Sequence, residues 1–111
     1  MLDTLTISTQ RTTASRLGEL DPANIEFGKT FADHMFVVDY ANGEWQEPRI
    51  VPYGDMTVSP ANSALHYGQS IFEGMKAYRT ASGEVQLFRP LDNCRRLNLS
   101  AVRMCMPEIP E

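Results

Sequence analysis

The stretch HYGQSIFEGMKAYR, residues 66 to 79, gathers Tyr67, Phe72, Glu73, Lys76, Tyr78 and Arg79 around Gly68 and Gly74. A lysine among aromatic and acidic side chains suits amine chemistry on a carbonyl. Such an amine needs its pKa lowered by burial or a neighbouring cation, in a pocket that keeps water out. Lys76 falls beside Met75 and Ala77 in a stretch that reads as a strand, which neither supplies nor denies those conditions. Lysines are mostly solvated, so Lys76 reads as a surface residue and not as the reactive amine.

Arg96, with Arg95 adjacent, is the second residue with chemistry to offer. A guanidinium is a planar fork of donors that matches phosphate or carboxylate. The simpler reading is an ion pair with Asp92, four positions earlier on the same helix. Residue types alone leave both open. Tyr67 and Phe72 either line an apolar pocket or belong to a core. His34 and His66 read as structural or surface histidines, and no Cys, His and carboxylate set has metal-ligand spacing.

The elements that must position these side chains follow from local patterns. FADHMFVVDY (residues 31 to 40) and EWQEPRIVPY (44 to 53) flank Asn42-Gly43, a strong two-residue hairpin signal, and predict two antiparallel strands. Pro48 and Pro52 lack backbone donors, so the second strand should be irregular or at an edge. Ser59-Pro60 predicts a capped short helix that Gly68 or Gly74 ends. MKAYRT and VQLFRP flank ASGE as a second hairpin.

After Pro90, Asp92 is the expected cap of a helix whose apolar positions are Cys94, Leu97, Ala101, Met104 and Cys105, with Arg96, Ser100 and Arg103 on the other side. On one helix Cys94 and Cys105 would stand about 16 Å apart along the axis, too far for a disulfide, and read as buried reduced thiols. The predicted fold class is α/β of the α+β type: a mostly antiparallel sheet with helices packed on it.

Composition narrows the function classes. The 111 residues fill at most one domain. A net charge of −4 with scattered lysines and arginines argues against a nucleic-acid surface. No apolar run has the length of a membrane span, and residues 1 to 20 lack a secretory stretch. Residues 1 to 16 carry Arg, Ser and Thr with one acid, Asp3, so an organelle transit peptide stays open, while weak amphipathicity points to the cytoplasm. Residues 1–26 read as an N-terminal arm, mobile or forming a short lid-like helix, ahead of a domain that begins near Phe27.

In this order and spacing FGKTFADHM, ANGEWQEPRI, ALHYGQSIFEGMKAYR and LFRPLDNCRRL resemble the N-terminal part of branched-chain amino acid aminotransferases. These are class-IV, pyridoxal 5'-phosphate-dependent enzymes of the D-alanine aminotransferase-like fold. The resemblance runs from Phe27 to Pro107. It implies that residues 27–111 are part of the small N-terminal domain, that the chain is a fragment, and that the cofactor-bonding lysine comes from a larger domain downstream. On that reading this chain holds no catalytic residue and is inactive alone.

By matched position, Arg96 binds the cofactor phosphate, and Phe27, Tyr67 and Phe72 line the substrate side-chain pocket. The implied reaction moves an amino group between L-leucine, L-isoleucine or L-valine and 2-oxoglutarate in a homodimer, with no metal, nucleic acid or membrane. Two alternatives keep part of the pattern. One is a D-amino acid aminotransferase or aminodeoxychorismate lyase of the same fold, and the other is a truncated, non-catalytic binding or assembly module.

Overall fold

A computed structural model describes residues 6–111. The chain divides into two compact units, residues 1–57 and 58–111. Its content is mixed and mostly antiparallel, in agreement with the expected α+β class.

The first unit is built on one long hairpin that changes character half-way. At its base β2 (His34–Val37) pairs antiparallel with β5 (Arg49–Pro52), Val37 facing Arg49. At its tip β3 (Tyr40–Ala41) pairs with β4 (Glu44–Trp45). Asn42 and Gly43 close the turn with φ of 56° and 84°. Two left-handed residues match the right-handed twist of the flanking strands, which is why Asn-Gly serves here. Tyr40 and Trp45 meet edge to face across the tip at 5.1 Å.

Between tip and base, the Gln46 N–H donates to the Asp39 carbonyl at 2.8 Å, so Val38 stands against two residues, Glu47 and Pro48. The extra residue falls at a proline with no N–H for the ladder. The irregularity expected of this strand is therefore at Pro48. The alternative, an edge position, is not adopted. β1 (Ser8–Thr9) lies parallel on the free side of β5 and makes it the central strand of three. Ser8 N–H donates to Pro48 O at 3.3 Å and Gln10 N–H to Ile50 O at 2.9 Å.

The segment expected to be an arm has further ties to the unit. Asp33 accepts from the Ser15 hydroxyl at 2.6 Å and the Arg16 N–H at 2.9 Å, and these bonds, Ser15's first, hold its carboxyl below the usual carboxylate range. Thr12 N–H donates to His34 Nε2 at 2.9 Å. Leu17–Glu19 forms one turn of 3-10 helix. The first five residues of the segment lie outside the described ones.

In the second unit the short helix α1 (Ser63–Tyr67) starts later than expected. Its cap is Asn62, whose side-chain oxygen accepts from Ala64 N–H at 2.8 Å. Ser59 instead bonds Ala61 N–H at 3.1 Å within the turn before it. Gly68 ends α1 with φ of 63°. β6 (Ala77–Arg79) and β7 (Val85–Leu87) form the second hairpin, Tyr78 opposite Gln86.

α2 (Pro90–Arg103) is the longest element. Arg89, left-handed at φ 48°, stands at its cap position without a side-chain cap bond, and Pro90 opens it. Asp92 is thus inside the first turn and not its cap. It pairs with Arg89 at 2.5 Å and Arg95 at 3.2 Å, which suits the positive end of the helix dipole.

The residues α2 buries are Asn98 and Ala101. Asn98 donates to Ile109 O and accepts from Ile109 N–H, each at 2.8 Å, and so holds the segment after the helix against it. The expected buried thiols are not seen: Cys94 and Cys105 are both exposed. The helix ends at Arg103, so Cys105 lies past it with φ 54°, off the apolar face that unbroken spacing would give it.

Candidate functional site

Residues 69 to 74 run along α2 in the second unit. Gln69 is anchored by its side-chain amide to Met104 O at 2.8 Å, and Gly74 by its carbonyl to the Asn93 amide at 2.8 Å. This stretch and the helix border an open groove of about 440 Å³ lined by Ser70, Ile71, Phe72, Arg96, Ser100 and Arg103 among others. Arg96, Ser100 and Arg103 recur at intervals of four and three on α2, which is why one helix side supplies all three. Phe72 is 93% exposed, so its ring is available to the groove as a wall.

The simpler of the two readings of Arg96 paired it with Asp92, but that carboxylate is taken by Arg89 and Arg95. Arg96 instead binds Glu73 in a two-point grip: Nε donates to Oε2 at 2.7 Å and Nη2 to Oε1. Glu73 also accepts from Gly74 N–H at 3.0 Å and from the Asn93 amide at 3.2 Å. With Arg96's bonds foremost, these donors bring the Glu73 carboxyl down to about 2, against an opposing contribution from burial. The guanidinium pKa is raised in turn by Glu73. Sequence spacing missed Glu73, which stands 23 positions from its partner. Its one signal was the FEG stretch itself.

Arg96 and Phe72 come together in the groove. Tyr67, 85% exposed, ends α1 and is not among the residues lining that groove. Phe27 belongs to the first unit, fully exposed beside the left-handed Gly28. Lys76 is exposed, immediately ahead of β6.

The groove sets two guanidinium groups, Arg96 and Arg103, beside the apolar side chains of Ile71 and Phe72. Arg96 keeps Nη1 and one face of Nη2 for a further acceptor. Among the described residues Nη1 makes no hydrogen bond, and Arg103 has no ion pair. The donors present therefore fit a phosphate, which takes planar guanidinium pairs readily.

The chain is 53% identical over 92 residues to branched-chain-amino-acid transaminase 1 of Bacillus subtilis, 82% of this chain and 26% of that protein. It is 47% identical over 100 residues to branched-chain-amino-acid aminotransferase 2 of the same organism, 89% of this chain and 28% of that one. The chain belongs to the branched-chain-amino-acid aminotransferase family. A third relative, the branched-chain-amino-acid aminotransferase of Mycolicibacterium smegmatis, is 49% identical over 90 residues, 80% of this chain and 24% of that protein. The chain thus spans about a quarter of the length of these curated relatives. No family model matches it. No helix among the described residues is long and apolar enough to cross a membrane.

Proposed function

We propose that the protein carrying this chain is a cytoplasmic, homodimeric branched-chain-amino-acid aminotransferase. It would use pyridoxal 5'-phosphate to move an amino group between L-leucine, L-isoleucine or L-valine and 2-oxoglutarate. The observation that carries the reading is the groove in which the guanidinium of Arg96 and the ring of Phe72 share one lining. The names of the relatives give the reaction class. On this reading residues 27–111 contribute part of a small domain, residues 1–26 its arm, and the lysine that bonds the cofactor belongs to a different domain. This chain alone would then be inactive.

The cofactor would supply the electron-withdrawing ring that makes the α-proton of a bound amino acid acidic. Arg96 would hold its phosphate through the edge left open by Glu73, with Arg103 adding positive charge to the same groove. Phe72 and Tyr67, both in the second unit, would wall the substrate's aliphatic side chain. Such a side chain offers no hydrogen bond, so selection has to come from apolar shape and exclusion of water. Lys76, exposed and next to the β6–β7 hairpin, has no part in proton transfer here.

The test uses the complete protein. Transfer from L-leucine to 2-oxoglutarate is expected, with D-alanine inert as donor. A charge-assisted pair with phosphate is worth roughly ten- to hundredfold in affinity. Cofactor titration should therefore rank Arg96→Ala weakest and Arg96→Lys between it and wild type, because lysine keeps the charge and loses the fork. Arg95→Ala, whose guanidinium is engaged by Asp92 and Glu111, should match wild type. Transfer from D-alanine in preference to leucine would overturn the reading.

A further inference from the structure

Arg96 borders two grooves. One holds Phe72, Ser100 and Arg103, and the other, of about 430 Å³, holds Phe88, Arg89, Asp92 and Asn93. An arginine on so long a stem is free to serve either, and its exposed side chain (67%) gives it room to do so. What restrains it is Glu73, whose carboxylate is far more enclosed, at 13%. That carboxylate is itself fixed twice, by the backbone of Gly74 and by Asn93 one turn before Arg96 on α2. Asn93 closes the arrangement by donating to Gly74 O.

We propose that Glu73 is a positioning residue: it grips the Nε and Nη2 edge of Arg96, fixes the guanidinium plane, and leaves the Nη1 and Nη2 end as the fork offered to an anionic phosphate. The proposal rests on the phosphate role given to Arg96 above. Its rival is also physical. A carboxylate two bonds deep on a guanidinium cancels charge and competes with an incoming anion. The geometry favours positioning, because Glu73 occupies one edge of the fork and a phosphate needs only the other.

The two are separated by titrating the complete apo-protein with pyridoxal 5'-phosphate and, in parallel, with pyridoxal, which lacks the phosphate. A residue acting through Arg96 alters the preference for the phosphorylated form, whereas general damage to the fold weakens both ligands alike. Glu73→Ala should lower the ratio of the two affinities about tenfold, and Glu73→Gln, which keeps one acceptor for the guanidinium, should lose less. In the Arg96→Ala background Glu73→Ala should add nothing to the change in ratio. Inorganic phosphate should compete with pyridoxal 5'-phosphate less well in Glu73→Ala than in wild type.

If Arg96→Ala lowers the ratio while Glu73→Ala leaves it unchanged or raises it, the positioning role is wrong and the phosphate role of Arg96 stands. If Arg96→Ala leaves the ratio unchanged, the phosphate site itself falls and the proposal with it. Should Glu73→Ala fail to fold, the ratio measured for Glu73→Gln decides: unchanged from wild type overturns the proposal, and a partial loss supports it.

Discussion

Phe72 and Arg96 draw different consequences from the same groove, because one acts by shape and the other by charge. Phe72 is 93% exposed in this chain, so its contribution has to come from the substrate it would cover in the complete protein. An apolar ring desolvated in that way is worth about 1.5 to 3 kcal/mol, and Phe72→Ala should then lower kcat/KM for leucine about tenfold and leave cofactor affinity nearly intact. Steady-state kinetics beside a cofactor titration check this, and unchanged leucine kinetics would make Phe72 an ordinary surface ring. At this scale the sequence was legible in what each residue is and illegible in whom it meets. Arg96 stood out by type, but helical spacing offered it Asp92, and two nearer arginines hold that carboxylate. Its true partner, Glu73, sits on another segment, where no period reaches. Caps failed for a related reason: Ser59 and Asn62 are both good cap residues, and the turn between them decides which one the helix uses.

The elements themselves were read with more success, since hairpins and helix faces depend on neighbours in the chain. Asn42-Gly43 gave the first turn, Gly68 the end of α1, and the interval of three and four the side of α2 that carries Arg96. The irregularity expected of the second strand divides the long hairpin at Pro48; what escaped was which of its two prolines would do so and that the strand would be central and not at an edge. The tie between α2 and the stretch before β6 has a pH signature. The folded pKa of Glu73, about 2, is depressed from its ordinary 4.5, so the stabilisation is whole above 4.5 and disappears as pH falls from there towards 2. Arg96, Asn93 and the Gly74 N–H are the groups that face it. Melting temperatures of wild type and Glu73→Gln should therefore differ most above pH 4.5 and converge towards pH 2. A gap that persists unchanged to pH 2 would show that the carboxylate's charge is not what matters.

For the molecule as a whole, each unit puts its order into hydrogen bonds more than into apolar burial. The second buries Asn98 and Ala101 and leaves Tyr78, Val85, Leu87 and Phe88 exposed on and after its hairpin. That ratio could not be read from composition, which supplies apolar residues enough for a modest core and is silent on where they point. In the first unit the pairing of Ser8–Thr9 with β5 carries a consequence for solubility. A strand with one open side displays a row of unsatisfied N–H and C=O groups, a template on which another chain can add itself. Arg49–Pro52, with Ile50 and Val51 at its centre, is such a strand once β1 is gone. Two residues near the start of the chain therefore act as a guard against aggregation. Removing residues 1 to 10 should give concentration-dependent self-association and a rise in thioflavin fluorescence, both suppressed by an Ile50→Lys substitution, and a truncated protein that stays monodisperse would show that the edge needs no cover.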